Sequence, residues 1–142
     1  MRISPELVEM LGAASVEQRR QIVERICKLA VERTGLSDQV VIDATNGLRH
    51  IGKVDPSIRD EVGALTQQLD ERAWDIQEAV EIGSATEDEY LTAFAKARAV
   101  AAVGFALEDS LSATLNAVYE AYYAIGDREE FMRTLGSAPP GR

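Results

Sequence analysis

The chain of 142 residues is long enough to bury roughly two-thirds of its unfolded surface in one domain, without a disulfide or a structural metal. A single cysteine, Cys27, excludes an internal disulfide, and the sequence has no apolar run of signal-peptide or membrane-span length. The net charge of −9 argues against direct binding of nucleic acid phosphates. We therefore expect one cytoplasmic domain that is not embedded in a membrane.

Helix signals recur along the chain, and strand signals do not. The second predicted helix opens with Ser15 and Gln18 at capping-box spacing. In the third predicted helix, Gly47 lowers helix stability by about 1 kcal/mol relative to alanine. The third helix is expected to turn Val41, Ala44 and Leu48 inward. The first three helices are predicted over residues 4–12, 15–35 and 38–50, with Ser4 as the first N-cap.

The next segment predicts one long amphipathic helix. Asp55 is its expected N-cap, Pro56 occupies the first helical position, and the helix ends near Gly83. At 100° per residue, Trp74 lies about 160° from Ile58 and so opposite the apolar stripe. That stripe consists of Ile58, Val62, Leu65, Leu69, Ala73, Ile76 and Val80.

The C-terminal half predicts an Ala-rich helix over residues 86–107, which opens with a capping box of Thr86 and Glu89. Apolar residues surround this helix on almost all sides, so it should be the central element. Two further helices are predicted over 110–126 and 127–136, with Asp109 and Ser110 as either a break or a kink. Residues 1–136 then form a single all-α domain of six or seven helices, followed by a disordered tail over 137–142.

Acidic residues are concentrated in one segment. Residues 55–90 hold 11 acidic and 2 basic residues, whereas residues 1–54 and 91–142 carry net charges of +1 and −1. Such a segment is either a solvated helix face or a face that steers a basic partner. The carboxylates expected around Trp74 are those of Asp70, Glu71, Asp75, Glu78 and Glu81.

Trp74 itself admits three interpretations. Another helix of the chain can cover it, for which the C-terminal helix with Phe131 and Met132 is the candidate. It can also lie in a homodimer interface, or it can anchor a different protein. Among the clustered tyrosines Tyr119, Tyr122 and Tyr123, at least one is expected to face outward, and we include Tyr123 in the predicted partner-binding set.

No motif points to catalysis. The single histidine, His50, lies between two glycines at a predicted helix end, where it more often interacts with carbonyls than transfers protons. Cys27 occupies an apolar helical position typical of a buried core thiol. The chain has no Glu-x-x-His unit, zinc spacing or phosphate-binding glycine loop. We therefore predict no enzymatic activity, no metal and no cofactor.

The stretch AFAKARAVAAVGFALEDSLSATLNAVYEAYYA resembles small helical proteins of actinobacterial type, some of them similar to immunity proteins of polymorphic-toxin systems. The resemblance is compositional and covers about residues 86–125. It implies a cytosolic bacterial protein that neutralises a cognate toxin by binding it. From the sequence we expect a protein-binding module whose acidic face contacts a basic surface, with a homodimeric assembly module as the alternative.

Overall fold

The computed structural model describes residues 5–136, which form seven α-helices and one 3-10 helix. This confirms the all-α prediction, and the total of eight helices within these residues slightly exceeds the six or seven predicted. The predicted N-cap Ser4 and the predicted tail 137–142 lie outside the described residues. The α-helices are α1 (Pro5–Ala13), α2 (Val16–Thr34), α3 (Gln39–Asn46), α4 (Pro56–Glu81), α5 (Glu87–Ala106), α6 (Leu111–Ile125) and α7 (Arg128–Gly136), and the 3-10 helix is Leu48–Lys53.

The predicted helix starts follow from local capping. The backbone N–H of Gln18 donates to the Ser15 hydroxyl at 3.0 Å, and the Ser15 N–H donates to the Gln18 side chain at 2.8 Å. Thr86 and Glu89 form the same reciprocal pair at the start of α5. Each pair satisfies two backbone donors that the first helical turn leaves unpaired. Both capping boxes are therefore confirmed.

The third predicted helix was wrong beyond Asn46. The backbone of His50 is not helical, with φ −129° and ψ 55°, and a 3-10 helix replaces the last turn. A Cβ atom built on Gly47 would lie 2.7 Å from Cγ2 of Val54, so a larger residue at position 47 would force the two to move apart. The inward positions Val41, Ala44 and Leu48 are all fully buried, as predicted.

Asp109 and Ser110 lie at a break between two separate helices, α5 and α6. Asp109 has a positive φ of 56°, and its carboxylate accepts hydrogen bonds from Arg20 on α2, one of them at 3.0 Å from Nε to Oδ1. The Ser110 hydroxyl then caps α6 by accepting from the Ala113 N–H at 3.0 Å. The hydrogen bonds from Arg20 on α2 thus stabilise the left-handed conformation of Asp109, which separates α5 from α6.

The core surrounds the second half of α5, whose residues from Ala97 onward are mostly buried. This helix packs extensively against α2, α4 and α6, which confirms its central position. Its first half differs from the prediction, because Leu91 is 50% exposed and no side chain before Ala97 is fully buried. Within residues 5–136, no helix combines the length and the apolar character needed to cross a membrane.

Candidate protein-interaction site

Helices α4 and α5 form an antiparallel hairpin, and we call residues 70–89 its outer end. The connecting turn closes through backbone N–H groups of Ser84 and Ala85, which donate to the Ala79 carbonyl at 2.8 and 3.2 Å. Gly83 supplies the positive φ of 81° that this helix end requires. In the turn, the side chain of Ile82 is 82% exposed. The outer end therefore presents apolar as well as acidic side chains.

Trp74 is exposed on α4. Its side chain is 63% accessible, and its indole N–H donates a hydrogen bond of 2.8 Å to Oε1 of Glu78 one turn later. The predicted orientation away from the apolar stripe is thus confirmed. Of the three interpretations, cover by α7 is contradicted by this exposure of Trp74. Phe131 of α7 is instead fully buried, with its ring 5.0 Å from that of Tyr122. The described residues leave the tryptophan ring largely uncovered.

Carboxylates surround this ring. The outer end holds eight acidic residues and one basic residue, a net charge of −7 within 20 positions. By helical angle, four predicted carboxylates lie within about 60° of Trp74, whereas Asp75 lies about 100° away. The four near residues are Asp70, Glu71, Glu78 and Glu81. Their side chains and that of Asp75 are all exposed.

Asp70 has a structural partner that the sequence did not reveal. Arg98 on α5 donates to Asp70 at 2.5 Å and to Glu120 on α6 at 2.6 Å, so it ties three helices together. Burial disfavours its charged form, but the hydrogen bonds and the nearby carboxylates outweigh burial, and the pKa of Arg98 is raised. The guanidinium also lies 5.6 Å from the ring centre of Phe94. One of the predicted partner charges is therefore already neutralised within the chain.

Tyr123 belongs to a ring cluster between α5 and α6. Its ring packs edge-on against those of Tyr119 at 5.2 Å, Tyr122 at 5.4 Å and Phe94 at 6.5 Å. All three tyrosines are half-buried, so none of them is fully covered or fully exposed. Packing between α5 and α6 accounts for the position of Tyr123, because edge-on contacts are a preferred arrangement of aromatic rings.

Sequence reasoning missed two exposed apolar residues, Ile82 of the outer end and Leu91, which lies two residues beyond it on α5. The position of Ile82 next to a turn glycine was the available signal. His50 is exposed in the 3-10 helix, and Cys27 is fully buried, which raises its pKa to about 12. Across residues 5–136, no group of three or more histidine, cysteine or acidic side chains is arranged to hold a metal ion.

No match to this chain was found among protein-family models, among curated proteins or among solved structures. The functional proposal below therefore depends on the geometry of the outer end.

Proposed function

We propose that this protein is a non-enzymatic binding module whose outer hairpin end docks onto a basic surface of another protein. The observation that carries the proposal is the exposed Trp74 ring, hydrogen-bonded to Glu78 within a segment of net charge −7. A large aromatic side chain left in water has surface to bury on association, and the carboxylates around it set the charge of the partner.

The hydrogen bond from Trp74 to Glu78 supports an anchoring role. It restricts the orientation of the indole before any partner arrives, so less side-chain freedom is lost on binding. Anchors of this type contribute most of the affinity in many interfaces, and the exposed Ile82 and Leu91 add apolar area at the same end of the hairpin.

The charges support fast, salt-sensitive association. A field from several carboxylates at the end of a hairpin raises the encounter rate with a basic partner, and salt screens it over a Debye length of about 10 Å at 0.1 M. In the finer form of the proposal, the partner is a toxin whose basic surface binds nucleic acid phosphates, and the module acts as its immunity protein. The compositional resemblance of residues 86–125 motivates this finer form.

The test is capture of partners from the source lysate by wild-type protein and by Trp74→Ala and Glu78→Lys variants. Matched controls are Met132→Ala and Glu129→Lys, which change an exposed apolar side chain and an exposed carboxylate on α7. We expect both outer-end variants to lose the captured protein and both controls to retain it. Identical captured sets for all five proteins would refute the proposal.

Self-association through the same surface is the second candidate, favoured by the exposed Ile82. A two-fold dimer would bring two acidic surfaces together, and like charges at an interface cost several kcal/mol. Repulsion therefore favours a basic partner over a second copy. Light scattering decides the matter: a dimer that strengthens with added salt would support self-association, and a monomer at all salt concentrations would exclude it.

A further inference from the structure

A groove lies on the side of α4 opposite Trp74, between the hairpin and the loop joining α2 to α3. Its volume is about 610 Å³, within the range of small-molecule sites. Arg72 and Ile76, which line it, lie about 160° from Trp74 around α4. The apolar part of the lining consists of Leu36, Leu69, Ile76 and Ala93.

Two cations line the same groove at one level of the hairpin. Arg72 lies nine residues before the end of α4 at Glu81, and Lys96 lies nine residues after the start of α5 at Glu87. Neither side chain makes an ion pair or a side-chain hydrogen bond with any residue in 5–136, although Lys96 is half-buried and the chain carries a net charge of −9. Both side chains keep their hydrogen-bond donors available to a ligand.

The acidic residues of the groove limit which anions fit. Asp88 lies near the hairpin turn, eight residues before Lys96 and so about 12 Å away along the axis of α5. The Glu89 carboxylate accepts hydrogen bonds from the Thr86 N–H and hydroxyl, and Asp38 lines the groove from the loop. These carboxylates repel a doubly charged phosphate more strongly than a singly charged group.

We infer that this groove binds a small carboxylate with an apolar chain, with its charged group at Arg72 and Lys96 and its apolar part along Leu69 and Ile76. Arginine matches a carboxylate with two parallel hydrogen bonds, and lysine adds a point charge. The apolar lining supplies burial for the chain of the ligand, and the distance between the cations and Asp88 accommodates a short aliphatic chain.

Octanoate is the probe, and the readout is the change in backbone amide NMR signals of the full chain. We expect saturable shifts in the loop 35–38 and around residues 69–76 and 92–96, and no such shifts with octylamine, which has the same chain and the opposite charge. Arg72→Gln and Lys96→Gln should each weaken octanoate binding by about tenfold or more, because each removes charge-assisted hydrogen bonds. The control Arg133→Gln on α7 should bind as the wild type does.

Three outcomes would overturn the inference. They are the absence of saturable octanoate binding, equal binding of octylamine, and shifts that centre on the apolar groove of Met10 and Met132 between α1 and α7. The octylamine comparison uses wild-type protein, so it decides the matter even if a variant fails to fold. Trp74→Ala should leave octanoate binding unchanged, because the two sites lie on opposite sides of α4. Failure of the octanoate experiment can therefore be distinguished from failure of the capture experiment.

Discussion

The two ends of the α4–α5 hairpin use the same pair of helices in different ways. At the inner end, Val62 of α4 is fully buried, and a Cβ added to Gly104 would lie at an ordinary contact distance of 3.5 Å from its side chain, so α4 and α5 pack directly on each other there. At the outer end, Trp74 and Ile82 are exposed, and residues 70–89 carry a net charge of −7 out of −9 for the chain. The inner end therefore adds a buried contact to the core, whereas the exposed side chains of the outer end can change with little effect on stability.

The largest expected effect comes from a buried aromatic residue of the core. Phe131→Ala should lower the free energy of unfolding by about 3–5 kcal/mol, because it removes a fully buried ring and leaves a cavity. The adjacent Met132→Ala is the control, since Met132 is half exposed and should cost below about 0.5 kcal/mol. Urea unfolding measures both, and equal losses would contradict the division between core and surface.

Arg98 tests the tie between the hairpin and α6. Arg98→Ala should cost about 1–3 kcal/mol, because it leaves the half-buried carboxylate of Glu120 without its cation. Asp70→Asn removes only the exposed branch of the network and should cost below about 1 kcal/mol. If denaturant unfolding shows a larger loss of stability for Asp70→Asn than for Arg98→Ala, the network does not hold the hairpin to α6 as described.

Two glycines should respond with opposite sign. Gly63 lies within α4 with nothing near its missing Cβ, so Gly63→Ala should stabilise the protein by about 1 kcal/mol through helix propensity. Gly47→Ala should instead destabilise it, because the new Cβ would clash with Val54. Thermal unfolding of the two variants provides the measurement. A gain in stability for Gly47→Ala would show that this turn tolerates a wider separation between residue 47 and Val54.

The smallest effect on stability is expected at Trp74. Trp74→Ala should change the free energy of unfolding by below about 0.5 kcal/mol, because the ring is largely exposed and its hydrogen bond to Glu78 lies at the surface. Tryptophan emission of the wild type should be red-shifted and readily quenched by acrylamide. Emission that is protected in a proven monomer would mean that the chain covers the ring.

The sequence predicted those parts of the fold that depend on neighbours in the chain. The capping boxes at Ser15 and Thr86 and the outward orientation of Trp74 follow from spacings of three and four residues. The role of Arg98 could not be predicted, because its partners Asp70 and Glu120 come from two other helices.

Other features required knowledge of tertiary packing. Asp109 adopts its left-handed conformation beside Arg20, which is 89 residues away in sequence, so the choice between a break and a kink was not decidable locally. The exposure of Trp74 likewise depended on where α7 packs. Helical angle could place the ring on a face of α4, but it could not show that the described helices leave this face largely uncovered.

Cys27 gives this protein a built-in chemical reporter. The thiol is fully buried in the core, and burial raises its pKa to about 12, so in the native state it is both sealed from reagents and protonated at neutral pH. A thiol reagent added to the native protein reacts only after the core opens, and fraying of the outer hairpin end leaves the rate of labelling unchanged. The time course of modification of this one sulfur therefore measures how often the core itself opens.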